Sequence, residues 1–358
     1  MSRYGETRES LGELLAGEPG FRLEQLWRGL YEQLAEPAEL TVLPAALRDR
    51  LAGEPRLAPA FDLAEEVASP RGGTLKWLLR ARLDGAVVES VLMRYRERST
   101  VCISSQAGCA MGCTFCATGQ AGFSRHLSSA EMVEQVVRAA RACRQLGWGR
   151  LTNVVLMGMG EPLSNYERVL AAVRRCNGDL HIAARAFTIS TVGIVPGIRR
   201  LAREPLQLNL AVSLHAANDE LRSSLVPVGR RYPLEDLLAA CGEYAAATRR
   251  RVSFEWALIS GVNDRFSDAA ELAALLEPLG PLAHVNLIPL NPTPGYLVAG
   301  SPPAAVRQFR DDLVRRGVRV TVRDTRGRDV EGACGQLAGT SRRRLEERVG
   351  VAGLGRRA

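Results

Sequence analysis

Apolar residues recur along this chain with two different periods. Leu23, Leu26, Trp27, Leu30, Tyr31 and Leu34 fall at i, i+3, i+4, i+7, i+8 and i+11, one stripe of an amphipathic helix. Pro37 and Pro44 punctuate the segment. Residues 1–53 are therefore expected to form a small helical domain with that stripe as its core. Residues 54–98 read as a linker and a β-hairpin, in which TLKWLLRARL and AVVESVLMRY are strands joined by Asp84-Gly85. Glu89 lies in the second strand among Val87, Val88, Val91 and Leu92, where a carboxylate ordinarily faces water. From residue 99 a rhythm sets in. The runs STVCIS, LTNVVLM, AFTIST, LNLAVSL, RVSFEWALI, HVNLIPL and RVTVRD alternate with helical patterns. One helix opens with the Ser128/Glu131 capping box; others start near Asn165, Pro196, Leu221 or Pro233, Ser267 and Pro303. The fold class is α/β, since this alternation implies parallel strands with right-handed crossovers. Residues 99–335 are expected to form this α/β unit, and residues 336–358 read as a short helix and a basic tail.

A chain of 358 residues, 46% of them hydrophobic, buries a large core without disulfide staples. No run approaches the roughly 18 to 20 apolar residues that cross a bilayer, and MSRYGETRES is too polar for a signal peptide. A cytoplasmic protein with no membrane partner is the expectation. Basic residues outnumber acidic ones by 47 to 39, which favours a polyanionic partner such as nucleic acid. Lys76 is the only lysine, and arginine suits bidentate phosphate contacts better. Of the eight cysteines, Cys102, Cys109, Cys113 and Cys116 crowd into one stretch, while Cys143, Cys176, Cys241 and Cys334 are scattered. Such crowding reads as metal or redox chemistry.

The conspicuous residues all follow strands: the cysteine loop, GMGEP (158–162), STVG (190–193), SLH (213–215) and NPTPG (291–295). In a (βα) barrel those positions line the catalytic mouth. Cys109, Cys113 and Cys116 also fit a helical stripe, but Gly108 and Gly112 interrupt it, each at a cost of about 1 kcal/mol against alanine. A zinc knuckle needs four ligands, usually in two close pairs. Three thiolates suit a 4Fe–4S cluster with one open iron, able to chelate an amine and a carboxylate.

The spacing Cys109-x3-Cys113-x2-Cys116 is similar to the signature of the radical S-adenosylmethionine (SAM) superfamily. The wider set CISSQAGCAMGCTFCATG, GMGEP, SLHA, LIPLNPTPG and GACGQL resembles the RlmN/Cfr family of RNA methylases over residues 20–340. That resemblance implies a partial barrel of six strand–helix units. It implies that Cys109, Cys113 and Cys116 bind one 4Fe–4S cluster, and that two SAM molecules are used per turnover. Phe115 would pack near SAM, Gly160 and Glu161 would meet its amino group, and Ser190, Ser213, Leu214, His215 and Asn291 its ribose and adenine. Cys334 would carry the methyl group to C2 of an adenosine, Glu89 would accept the C2 proton, and Cys102 would release the product by forming a disulfide with Cys334. The implied substrates are 23S ribosomal RNA at its peptidyl transferase centre and the adenosine beside the anticodon of tRNA, with a flavodoxin-type electron donor and a monomeric enzyme. QAGFSRHLS favours this C2 branch over the C8-methylating, antibiotic-resistance branch. Release by such exchange needs a thiolate at Cys102, so positive charge or helix-terminal amides are expected near Cys334, and Arg323, Arg326 and Arg328 are candidates to supply the charge. The N-terminal helices, Arg249–Arg251 and Arg342–Arg344 are candidate RNA contacts. Two other readings remain, a different radical SAM enzyme such as a protein activase and a zinc-stabilised RNA-binding protein. Cys143, Cys176 and Cys241 are read as structural.

Overall fold

The computed structural model describes residues 2–293, 295–323 and 328–337. Its strands are β1 (Phe61–Ala68), β2 (Thr74–Ala81), β3 (Val87–Arg94), β4 (Ser99–Cys102), β5 (Gln106–Gly108), β6 (Phe123–His126), β7 (Leu151–Leu156), β8 (Phe187–Thr191), β9 (Asn209–Ser213), β10 (Val252–Leu258), β11 (Ala283–Pro289) and β12 (Val320–Val322). All but β5 and β6 form one sheet in the order β1-β2-β3-β4-β7-β8-β9-β10-β11-β12. Neighbours from β1 to β4 are antiparallel, and those from β4 onward are parallel. Among the described residues β12 does not pair back to the start, so the barrel is partial.

The two faces of these strands differ in chemistry. Val101, Val154, Ile189, Leu210, Val212, Phe254 and Leu287 are fully buried beneath the crossover helices, which include Ser129–Gln145, Tyr166–Asp179, Leu234–Thr248 and Pro303–Arg315. The register fixes the other face. Cys102 pairs with Val155, Val155 with Thr188, Ser190 with Ala211, Ser213 with Glu255, and Glu255 with Asn286. Alternation therefore collects a largely polar row inside the barrel.

The N-terminal stripe folds as helix Phe21–Arg28, continued by a π turn over Gly29–Gln33. Its core is continuous with that of the barrel. Trp27 Nε1 donates to Asp179 Oδ1 (3.1 Å), and Arg175 donates to the Tyr31 hydroxyl (2.9 Å). The hairpin is three-stranded rather than two-stranded, because β1 pairs with β2. Asp62, Glu65 and Glu66 hide β1 from a hydrophobicity reading, and a bulge between Leu63 and Glu65 breaks its alternation. Charges and a bulge on an edge strand also discourage further strand pairing. Among the described residues no helix is long and apolar enough to cross a membrane.

Candidate active site

The cysteine loop is closed by β5 and β6, a short antiparallel pair whose three- and four-residue strands carry too little pattern to be read in sequence. The Cys109 N–H donates to the Gly122 carbonyl (2.8 Å). Gly108 has φ +76°, and a Cβ there would lie 2.0 Å from that carbonyl oxygen, so only glycine lets the clamp close. Cys109, Cys113 and Cys116 line a cavity of about 150 Å³ together with Phe115, Gly160, Glu161, Ser190, Ser213, His215, Asn291 and Cys334.

Burial pushes the Cys109 thiol up to about 12. Cys113 is pushed well up by burial and then by Cys116 and Cys109. Thiols that oppose one another's ionisation become thiolates only around a cationic centre. Among the described residues no three His, Cys, Asp or Glu side chains stand close enough to hold a single metal ion. Three thiols that line one cavity with open space beside them fit a 4Fe–4S cluster that leaves one iron free.

GMGEP supplies a carboxylate to the same cavity. Gly160 has φ +104°, and a Cβ there would lie 2.5 Å from Cβ of Gln106. That close approach lets Gln106 Oε1 accept the Glu161 N–H (2.8 Å). Glu161 is 2% exposed; its Oε1 accepts the Leu163 N–H (3.0 Å) and its Oε2 the Val192 N–H (2.8 Å). Burial raises Glu161 to about 7. An arriving ammonium would offset that desolvation.

His215 adopts φ +63°, an uncommon conformation for a residue with a side chain. Its Nδ1 accepts the Ala257 N–H (2.9 Å), so Nε2 carries the proton. Burial, then Arg222, pushes His215 down to about 3, which makes it a neutral donor. The Phe115 ring meets it edge-on at 4.9 Å. Asn263, which the sequence reading missed, holds the strained turn: its Nδ2 donates to the carbonyls of His215 (2.8 Å) and Ala257 (2.7 Å), and its Oδ1 accepts the Ile259 N–H (2.8 Å). Arg222 was also missed. It is fully buried and donates to the Val192 carbonyl (2.7 Å), supporting the STVG turn. Leu214 is not among the cavity-lining residues; its side chain is in the core and its N–H donates to the Glu255 carbonyl (3.0 Å).

The segment bearing Cys334 is tied to the cysteine loop. The Ala117 N–H donates to the Gly335 carbonyl (2.8 Å), and the Thr118 hydroxyl to the Leu337 carbonyl (3.0 Å). Asn291 Nδ2 donates to the Cys334 carbonyl (3.2 Å). Cys102, Arg323 and Cys334 line one small hollow with Met157 and Tyr95. Cys334, above all, favours the charged form of Arg323, whose Nη1 lies 3.7 Å from Glu255 Oε2. Glu255 also accepts from Ser253 and Asn286 (2.9 Å each); nothing in its strand-like sequence context marked it out. Burial, then Cys334, pushes Cys102 up to about 12, against the opposing pull of Arg323. The Cys102–Cys334 disulfide implied by the resemblance is absent, for both are free cysteines. Burial keeps Cys102 protonated at neutral pH, the form that does not attack sulfur.

Glu89 does not face water. It is 1% exposed, and Lys76 Nζ lies 3.4 Å from its Oε2. Its carboxylate is instead buried beside an ammonium. Glu89 does not line the cysteine cavity, but shares a sheet face with Cys102, since Leu78 pairs with Glu89, Lys76 with Val91, and Val91 with Cys102. Arg249–Arg251 precede β10 and so occupy the opposite end of the barrel from the cysteine loop. Arg326, the Arg328 side chain and Arg342–Arg344 lie outside the described residues.

Residues 103–273 match the radical SAM superfamily, which implies an iron–sulfur cluster and SAM as the groups such a cavity takes. The chain is 52% identical over 342 residues to a Thermobifida fusca protein described as a probable dual-specificity RNA methyltransferase RlmN, covering 93% of this chain and 92% of that one. A Mycobacterium ulcerans protein of the same description is 54% identical, covering 90% of each. The crystal structure of a radical SAM methyltransferase from Sphaerobacter thermophilus superposes with a TM-score of 0.89 at 50% identity, over 95% of this chain and 99% of that one. With that identity spanning nearly its whole length, the chain belongs to the RlmN family of radical SAM RNA methyltransferases.

Proposed function

We propose that this protein methylates C2 of an adenosine in the peptidyl transferase centre of 23S ribosomal RNA, and of the adenosine beside the anticodon in tRNA, by way of a methylated Cys334. The observation that carries the reading is that Cys334 shares one cavity with Cys109, Cys113, Cys116 and Glu161 while adjoining Cys102 and Arg323. Adenine C2 lies between two ring nitrogens and is electron-poor, so it does not attack a methyl cation donor directly. A protein-borne methyl group, activated as a radical, evades that difficulty.

One 4Fe–4S cluster on Cys109, Cys113 and Cys116, with two SAM molecules per turnover, supplies the methyl group and the one-electron chemistry when bound. The chain's own residues do the rest. Glu161 takes an ammonium in a dry site where the attraction is strong. Nε2–H of His215, with Ser190, Ser213 and Asn291, offers hydrogen bonds to ribose and base, and Phe115 packs against them. Arg323 adjoins Cys334, whose sulfur accepts the methyl group and presents it to the RNA carbon. Glu89 accepts the C2 proton, and Cys102 stands beside Cys334 as a second thiol, which acts on that sulfur only after it gives up the proton that burial holds on it and Arg323 opposes. The target base must leave its stack to enter. A flavodoxin-type protein is the proposed reductant, and a monomer the proposed state. Mass spectrometry of ribosomal and transfer RNA from a deletion strain tests the reading. Loss of 2-methyladenosine from both supports it; loss of 8-methyladenosine instead would overturn it in favour of the C8 branch.

A further inference from the structure

In a chain with 47 basic residues, the single lysine is buried at Lys76. Its Nζ lies 3.4 Å from Glu89 Oε2 and donates to the Glu331 carbonyl (3.3 Å). The first partner is the proposed proton acceptor. The second is three residues from Cys334. The face shared by Lys76, Glu89 and Cys102 is the one on which the Cys334 segment lies, since a Cβ on Gly332 would come within 3.3 Å of the Val91 side chain. Glu65, Asp329 and Glu331 are the other charged residues around a cavity of about 130 Å³ next to Lys76.

Stability alone gives no reason for this arrangement, because a buried ion pair is rarely more stabilising than apolar residues of the same volume. An ammonium is a compact charge with three donors, suited to bridging a carboxylate on one strand and a carbonyl on a separate loop. The wide planar fork of arginine, which the chain uses at every other basic position, is not. We infer that Lys76 is a positioning residue for RNA methylation, holding the Glu89 carboxylate in register with the segment that carries Cys334. Proton removal from the base and the sulfur that bears it are thereby set by one group. The inference rests on the reading of Glu89 as the proton acceptor.

The test compares Lys76→Met, Glu89→Gln and the double variant, each reconstituted with its cluster, by mass spectrometry of methyl on Cys334 and of the covalent protein–RNA adduct. Lys76→Met should load methyl on Cys334 as the wild type does, yet resolve the adduct at least about tenfold more slowly, a loss within the range for impaired proton transfer. Because Lys76 acts through Glu89, the double variant should be no slower than Glu89→Gln alone. Lys76→Gln, which keeps a donor for the Glu331 carbonyl but not the charge, should show the same slowing and guards against a folding defect in Lys76→Met. Normal adduct resolution in the Lys76 variants while Glu89→Gln stalls would overturn the inference alone. So would a double variant whose defect is the product of the two single ones. Normal resolution in Glu89→Gln would instead overturn the reading of Glu89, and the inference with it.

Discussion

The molecule holds its cysteines in two contrasting ways. Cys109, Cys113 and Cys116 come from one short loop, pinned at its neck by Cys109 and Gly122. Cys102 and Cys334 are brought together only by the whole fold: one ends a sheet strand, and the other lies beyond the last strand, strapped to Ala117 and Thr118. The first arrangement is local chemistry that a loop can carry by itself. The second exists only if the sheet register, Asn291 and the Cys334 segment all agree. Electrostatics divides them as well. Burial opposes ionisation of Cys109 and Cys113, whereas Cys102 has Arg323 beside it to pull against burial.

The sharpest way to break that comparison is to remove one thiol from each place. Cys113→Ala should abolish both the visible absorbance of anaerobically reconstituted protein and deoxyadenosine release on reduction. Cys334→Ala should abolish RNA methylation while leaving both signals intact. If the two variants lose the same signals, the sites are not functionally separate. Next in size is the support beneath His215. Asn263→Ala leaves the His215 and Ala257 carbonyls and the Ile259 N–H without their partner, a loss of roughly 2–3 kcal/mol for buried groups. Denaturant unfolding should show that loss, and SAM binding should weaken with it. Unchanged stability would mean that the turn holds itself.

A smaller effect tests the internal cation. Cys102 ionises near 12, raised by burial and by Cys334 and lowered by Arg323. Removing the neighbouring thiol in Cys334→Ala should move the midpoint for alkylation of Cys102 down. Removing the cation in Arg323→Met should move it up. The pH dependence of iodoacetamide labelling reads both, and shifts of the same sign in the two variants would contradict the arrangement.

The same contrast explains what the sequence disclosed. The alternation of strand and helix, the Ser128 cap and the cysteine loop are short-range patterns, and the loop's chemistry follows from residue types and spacing. The inward row is also implicit in strand alternation, but which strands face each other is set by register, which is a property of the assembled sheet. Hence Glu255, Asn263 and Arg222 went unnoticed: a carboxylate in RVSFEWALI, an asparagine in a turn and an arginine in a helix have no local signature of burial. Glu89 and Cys334 were legible only through resemblance, and the ammonium beside Glu89 not even then. The edge strand β1 was lost because its charges serve to keep it unpaired.

Cys143, Cys176 and Cys241 give the finest test. Burial raises all three thiols, Cys241 to about 12, and it raises Cys109 to a similar value. Suppressed ionisation therefore does not tell a structural thiol from a proposed ligand. Convergence does, because none of the three lines the cavity that Cys109, Cys113 and Cys116 share. Each lies in a separate helix with its side chain in the apolar core. Alanine at any of them should cost only about 1 kcal/mol, the loss of one small buried group. Iron content and methylation at a temperature well below unfolding should not change. Lost iron in any one of these variants would mean that a helix-borne thiol reaches the cluster, and the division between loop and scaffold cysteines would have to be redrawn.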